Sequence, residues 1–173
     1  PENQHIIHPY LLGVLIGDGS LSEATISLHN PEQYVIDKIA SCMTAGDELK
    51  KGKPYENKCD RYSITGMHTR RELERMGLYG THSWTKFIPR EYLFDSVENR
   101  IQLLHGLCDT DGTVAGNTFV EYSTTSEQLC KDIMFLVRSL GGRATYKERM
   151  GKYTKDGEIH CTRTNYRVYI KMN

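Results

Sequence analysis

Two aspartates, Asp18 and Asp111, stand in nearly the same local sequence and could together bind a metal ion. Each is followed by a glycine and closes a short apolar segment whose third residue is glycine, Leu11–Gly19 in one case and Leu104–Gly112 in the other. A carboxylate at the C-terminus of a helix faces the negative end of the helix dipole, which costs roughly 0.3–1 kcal/mol. Because this unfavourable arrangement occurs twice at matching positions, it indicates a function.

The small residues of the two segments predict how the carboxylates could meet. Gly13 and Gly17 lie four residues apart and therefore on one face of the first helix, and Gly106 and Thr110 match them in the second. Such spacing lets two helix backbones cross closely, which would bring both aspartates to one end. Paired carboxylates beside backbone carbonyls suit Mg²⁺, which can assist phosphodiester hydrolysis. The alternative is two ordinary core helices, each ended by its glycine.

Each segment opens a similar run of predicted elements, which gives an α+β fold of two pseudo-symmetric halves, each helix–strand–strand–helix–strand–strand. The first half is expected over residues 1–80, a connection over 81–99, and the second half over 100–173. The first half adds a third helix near Thr69–Met76. Its counterpart in the second half is missing or lies beyond this chain. The strands that close the halves are expected at Leu49–Tyr55, Arg61–Met67, Ala144–Arg149 and Thr162–Lys171.

Composition excludes several classes of protein. The chain has 173 residues with 22 basic and 22 acidic side chains, and its longest apolar run, Tyr10–Ile16, is too short to span a membrane. No secretory signal is visible, and five cysteines without a Cys-x-x-Cys pair indicate reduced thiols in an intracellular protein. The zero net charge hides an uneven distribution, since residues 1–85 carry −2, residues 86–142 carry −3 and residues 143–173 carry +5.

Both nine-residue segments resemble the LAGLIDADG (dodecapeptide) motif of homing endonucleases. The second copy is the closer one, whereas the first departs at Ile16 and Gly17 and is similar to the form common in intein-associated members. The resemblance implies αββαββ halves with the paired helices at their interface and antiparallel, saddle-shaped sheets over DNA. It also implies that Asp18 and Asp111 are the catalytic, metal-binding acids, one for each strand cut. The carbonyls of Gly17 and Thr110 would point at the metal, which would be Mg²⁺ with Mn²⁺ as a substitute.

Two cations are further catalytic candidates. Lys86-Phe87-Ile88-Pro89 is similar to the Lys-x-Ile-Pro block of the intein-type members, in which the lysine is a catalytic cation near the scissile phosphate. The alternative for Lys86 is a solvated lysine beside a helix-starting proline. The aligned position of the second half holds Arg163, which can stabilise phosphate charge but stays protonated and cannot shuttle a proton. Lys147 or Lys171 could serve instead.

One face of the last two strands predicts a DNA-binding surface. Tyr166, Val168 and Ile170 suit a helix-covered side, and the alternate positions are basic or polar. Such side chains hold phosphates and read base edges, although many half-buried sheets simply have a solvated polar face. Residues 151–157 are expected to form a long hairpin loop, and Trp84 and Tyr92 to pack around the connection. The DNA-binding candidates are Arg143, Lys147, Arg149, Arg163, Asn165, Arg167 and Lys171, with Lys51, Lys53, Arg61, Ser63 and Thr65 as a sparser first-half set.

The leading hypothesis is a metal-dependent, site-specific endonuclease that acts as a monomer on double-stranded DNA. Its target site is expected to be long and asymmetric, and no association with a membrane is expected. A second hypothesis is a non-cleaving DNA-binding regulator or RNA-splicing maturase with the same fold. A third is that the chain is the nuclease insert of an intein. No splicing by the chain itself is expected, because it has neither an opening Cys or Ser nor a closing His-Asn pair.

Overall fold

The computed structural model describes residues 4–52, 60–115, 119–155 and 158–172. The first half contains α1 (Pro9–Gly17), β1 (Ser27–His29), α2 (Gln33–Ser41), β2 (Glu48–Lys51), β3 (Arg61–Thr65) and α3 (His68–Arg75). A short helix, α4 (Arg90–Leu93), lies in the connection. The second half contains α5 (Val97–Asp111), β4 (Gly112–Ala115), β5 (Phe119–Thr124), α6 (Glu127–Ser139), β6 (Arg143–Lys155) and β7 (Glu158–Lys171).

The two halves share one topology, which confirms the predicted fold class. The first sheet has the order β1-β3-β2 and the second the order β4-β5-β7-β6, and every described strand pair is antiparallel. Among the described residues of the first half, the equivalent of the first strand of the second sheet is reduced to the isolated bridge between Ser20 and Ser27. The expected loop at residues 151–157 is wrong for residues 151–155, because β6 continues to Lys155 and pairs with β7 along that length.

Hydrophobic patterning explains why these elements pack as they do. The eight residues Pro9–Ile16 of α1 are all buried, as expected for a helix at the centre of a molecule. The helix α6 is amphipathic and buries Ile133, Leu136 and Val137. The apolar side chains of the second sheet, including Val168 and Ile170, are buried with them in one continuous core. In the described part of the chain, no helix is both long and apolar enough to cross a membrane.

Candidate active site

The helices α1 and α5 cross through their glycines, as the spacing predicts. A β-carbon added at Gly13 would lie 2.4 Å from the carbonyl oxygen of Leu103, and one added at Gly106 would lie 2.2 Å from that of Tyr10. A β-carbon at Gly17 would lie 2.0 Å from the hydroxyl oxygen of Thr110. Since real side chains do not tolerate such distances to backbone, the two glycines set how closely the helices approach.

This crossing brings the two aspartates together at the C-terminal ends of the helices. Asp18 caps α1 and Asp111 is the last residue of α5. The side-chain amide of Asn30 donates a hydrogen bond to Asp18 at 3.4 Å. The hydroxyl of Tyr122, which is fully buried, donates one to Asp111 at 3.4 Å. Nothing in the local sequence pattern of Asn30 or Tyr122 predicts these contacts with the aspartates.

The environment of the site raises the pKa values of both carboxyl groups. Burial raises the pKa of Asp111 to about 6, and the neighbouring charge of Asp18 contributes to that increase. Burial also raises the pKa of Asp18, although the hydrogen bond from Asn30 and the charge of Lys86 oppose the increase. Two half-buried carboxylates whose pKa values are both raised form a site in which a cation would be favoured.

Lys86 lies against the end of α1 and is not solvated, so the alternative interpretation of this residue is wrong. Its side chain is buried, and its ammonium group donates hydrogen bonds to the carbonyl oxygens of Leu15, Gly17 and Gly19 at 3.3, 2.9 and 2.8 Å. The Gly17 carbonyl is one that a helix C-terminus leaves without an intrahelical donor, whereas the Leu15 carbonyl also accepts the backbone amide of Gly19. Burial lowers the pKa of Lys86 to about 8, while both aspartates raise it. Lys86 is therefore a charged cap on the helix that carries Asp18.

The donor set fits a hard divalent cation in part. The two carboxylates match what Mg²⁺ takes from proteins, which is one or two carboxylates with water completing the coordination. Within the described ranges, no cluster of three or more His, Cys, Asp or Glu side chains could hold a metal. The carbonyl of Gly17, expected as a metal ligand, accepts the hydrogen bond of Lys86. Both aspartates thus remain the candidate ligands, together with the Thr110 carbonyl.

Two cavities open beside this lysine, and both are lined by Gly17, Ser83 and Lys86. The Asp18 cavity, about 380 Å³, is also lined by residues of the connection, among them His82 and Trp84. The Asp111 cavity, about 230 Å³, is also lined by β5 residues and by Asn165 of β7. Each aspartate therefore has its own accessible space.

The predicted basic face of the second sheet is present in the structure. Residues paired directly across antiparallel strands lie on the same face, and Lys147 pairs with Arg167, Arg149 with Asn165 and Arg143 with Lys171. On the opposite face, Ala144, Val168 and Ile170 are buried. Arg167 forms an ion pair with Glu121 at 3.2 Å, and its buried Nε atom has no hydrogen-bond partner among the described residues.

The first-half candidates are placed differently. Arg61, Ser63 and Thr65 share one face of β3, but Lys51 pairs with buried Tyr62 and so lies on the other face. The expectation that Lys51 shares the DNA-binding face with Arg61 is therefore wrong, and Lys50, which pairs with Ser63, lies on that face instead. Lys53 lies outside the described residues.

Arg163 contacts Trp84 of the connection, a contact that the sequence does not predict. Its guanidinium carbon lies 3.9 Å from the centre of the Trp84 ring. Trp84 does pack at the connection, as expected, and it stacks on His82 with 4.6 Å between the ring centres. No short-range signal could have indicated a contact between residues so far apart in the chain.

Comparison with known proteins gives the following similarities. Residues 98–171 match a family described as a LAGLIDADG-like domain. The replicative DNA helicase DnaB of Mycobacterium intracellulare is 34% identical over 165 residues, which are 95% of this chain and 24% of the helicase. The RecA protein of Mycobacterium tuberculosis is 29% identical over 161 residues, which are 82% of this chain and 19% of RecA. The chain thus spans about a fifth to a quarter of these relatives.

Solved structures share the fold at low sequence identity. A mesophilic variant of the homing endonuclease I-DmoI has a TM-score of 0.64 and 14% identity, covering 96% of this chain and 89% of the other. I-DmoI in complex with DNA and calcium has a TM-score of 0.61 and 11% identity, covering 96% and 83%. The N-terminal LAGLIDADG domain of DUF199/WhiA has a TM-score of 0.59 and 12% identity, covering 96% and 76%. Residues 98–171 therefore match a LAGLIDADG-like domain, and the chain has the fold of these solved structures.

Proposed function

We propose that this chain is a divalent-metal-dependent, site-specific endonuclease of the homing type that cuts double-stranded DNA. The observation that carries the proposal is the pair of half-buried aspartates, held together at the ends of two helices that cross through glycines. In a helix pair that serves only for packing, two carboxylates at this place would be unfavourable, because burial raises the pKa of both. The DNA complex of I-DmoI, a protein of the same fold, supports the choice of substrate.

The residues of the chain have distinct proposed roles. Asp18 and Asp111 would hold the metal, which, when bound, supplies an activated water and stabilises charge on the phosphate oxygens. Lys86 fixes the last turn of α1 and so determines where the carboxylate of Asp18 lies. It is a positioning residue in this proposal, and its charge also offsets the repulsion between the two aspartates. The basic face of β6 and β7 would bind the DNA backbone and bases.

The match to parts of two differently named host proteins supports a further element of the proposal. About 160 residues of this chain align with a fraction of a DnaB helicase and with a fraction of a RecA protein. A segment that recurs inside different proteins behaves as an insert. We therefore propose that the endonuclease is intein-associated, and that it acts as a monomer on an asymmetric target.

A cleavage selection tests the proposed activity. The protein is incubated with a genomic or randomised DNA pool and Mg²⁺, and the ends of cut molecules are sequenced. The expected result is one family of related sites with double-strand breaks, which Asp18→Asn and Asp111→Asn abolish without loss of binding. Enrichment of bound sites that stay uncut with either Mg²⁺ or Mn²⁺ would contradict the proposal.

A non-cleaving DNA-binding regulator or RNA-splicing maturase is the second candidate function. It is favoured by the position of Lys86, whose ammonium group is directed at helix carbonyls and away from the solvent. The same two aspartate variants discriminate the candidates. A pure binding protein keeps its entire activity in both variants, whereas the endonuclease loses cleavage in both.

A further inference from the structure

Trp84, the single tryptophan of the chain, joins the connection to β7 of the second half beside the Asp18 cavity. Its ring is nearly parallel to that of His82, with an angle of 13° between them. On this ring lies the guanidinium group of Arg163, which comes from β7 of the second half. We call His82, Trp84 and Arg163 the Trp84 stack. Both of its rings line the Asp18 cavity.

The guanidinium group of Arg163 is held in place without its hydrogen-bonding groups being used. In the described part of the chain it makes no ion pair and donates no hydrogen bond, whereas Arg61, Arg75 and Arg167 each pair with a glutamate. Stacking on an aromatic ring engages the flat face of a guanidinium and leaves its N–H groups free to bind an anion. The side chain is thus preorganised for a planar, two-point contact.

Among the described residues that line the Asp18 cavity, no other cation is available to bind an anion. The ammonium group of Lys86 is committed to the carbonyls of α1. A phosphate that approaches the carboxylate of Asp18 would be repelled unless a positive charge lay nearby. Along β7, Asn165 lines the Asp111 cavity, and Arg163, two residues earlier, contacts the wall of the Asp18 cavity.

We propose that the Trp84 stack is a phosphate clamp on the Asp18 side of the site, in which Trp84 positions Arg163 to bind a DNA phosphodiester. The proposal rests on the proposed function in one respect, namely that the ligand is DNA. It moves Arg163 from the side of Asp111, where alignment of the two halves puts it, to the side of Asp18. One strand of the second half therefore serves both aspartates.

The first test measures DNA binding in EDTA, where no cleavage occurs. The affinity for a labelled duplex is measured by fluorescence anisotropy between about 50 and about 200 mM salt. Arg163→Met, which keeps the packing on Trp84, is expected to lower the affinity about tenfold at low salt. It should also reduce the slope of log K against log salt by about 0.9, which is the loss of one phosphate contact. Arg163→Lys should keep the slope, because it keeps the charge.

A matched control separates this effect from a general loss of charge. Arg90 also lies over an aromatic ring, with its guanidinium carbon 5.4 Å from the centre of Phe94. Phe94 lines neither cavity, whereas Trp84 lines the Asp18 cavity. Arg90→Met should leave both the affinity and the slope unchanged. If Arg163→Met and Arg90→Met have the same slope as the wild type, the clamp does not exist.

A double-mutant cycle tests the positioning role of Trp84. Trp84→Leu alone is expected to weaken binding about threefold, because the guanidinium loses its support. In the Arg163→Met background the same change should have no further effect, since its consequence depends on Arg163. Additive losses would instead show that Trp84 contacts the DNA by itself, and would overturn the positioning role.

The outcomes for the clamp and for the nuclease are separate. A protein that shows the Arg163-dependent slope but never cuts DNA retains the clamp and refutes the nuclease. A protein that cuts, yet has the same salt slope with Arg163→Met, retains the nuclease and refutes the clamp. In the wild type, the emission of Trp84 should change when duplex is added in EDTA, and an unchanged emission at saturation would contradict DNA contact at the stack.

Discussion

The ammonium group of Lys86 lies where the negative end of α1 would otherwise be buried without a counter-charge. The carbonyls of Leu15, Gly17 and Gly19 all accept its hydrogen bonds. A buried acceptor that loses its donor costs about 1–3 kcal/mol. The stability of this end of α1 therefore depends strongly on the side chain of Lys86. The same contacts fix the backbone on both sides of Asp18, so Lys86 links the stability of the protein to the position of the proposed metal ligand.

Replacement of Lys86 tests this link. Lys86→Met keeps the length of the side chain but removes the donor and the charge, and we expect it to lower the free energy of unfolding by about 2–4 kcal/mol. Urea denaturation measures the effect. Lys152→Met, at an exposed position of β6, is the control and should change stability by no more than about 0.5 kcal/mol. A Lys86→Met protein as stable as the wild type would show that the cap is dispensable.

The raised pKa of Asp111 predicts a dependence of stability on pH. Its carboxyl has a pKa of about 6 in the folded protein, against an ordinary 3.8, so between these values the folded state binds the proton more tightly than the unfolded chain. Stability in metal-free buffer therefore falls as pH rises from about 4 to about 6 and stays lower above that range. Asp111→Asn should lack this loss and be about 1–3 kcal/mol more stable than the wild type at pH 7, but equal at pH 4. Denaturation in EDTA at both pH values tests this, and equal stability at pH 7 would contradict it.

The crossing of α1 and α5 depends on two glycines that no other residue can replace. A β-carbon at Gly106 would lie 2.2 Å from the carbonyl of Tyr10, and rigid helix backbone cannot give way as a side chain can. Gly106→Ala is expected to force the helices apart, to lower stability by about 3 kcal/mol or more and to abolish cleavage. His105→Ala, at the neighbouring exposed position, should leave thermal stability unchanged or slightly higher. A Gly106→Ala protein with normal stability would mean that the helices do not touch there.

The elements show which structural features a sequence reveals and which it does not. The repeated motif, the glycine spacing and the alternation in β7 predict the helix crossing and the basic face because each depends on residues close in the chain. The face of Lys51 was assigned wrongly because it depends on the register between β2 and β3, and a slip of one residue moves a side chain to the other face. The contact between Trp84 and Arg163 depends on tertiary packing alone.

At the level of the whole molecule, the two sheets differ in how many of their cations form ion pairs, in line with the uneven distribution of charge along the chain. In the first sheet, Lys50, Lys51 and Arg61 each pair with an acidic side chain at 3.4, 2.7 and 3.0 Å. In the second sheet, several exposed cations have no ion pair among the described residues, and these are Arg143, Lys147, Arg149, Arg163 and Lys171. Partial neutralisation weakens attraction to phosphate, so the second half should dominate DNA binding.

If neutralisation limits the first half, removal of an acidic partner should strengthen binding. Glu23 pairs with Arg61 on the first sheet, and the two side chains are 58% and 41% exposed. Glu23→Gln would remove the negative charge paired with Arg61, which would keep its hydrogen bond to the Ser27 hydroxyl. The variant is expected to raise the affinity for duplex DNA about threefold at low salt, with a slope steeper by up to about 0.9. Glu127→Gln is the matched control, since it frees Lys131 on α6, in the helical layer, and adds the same unit of charge. Anisotropy titrations that give equal gains for both variants would show that only net charge matters, whereas a gain confined to Glu23→Gln would show that the ion pair itself holds Arg61 away from DNA.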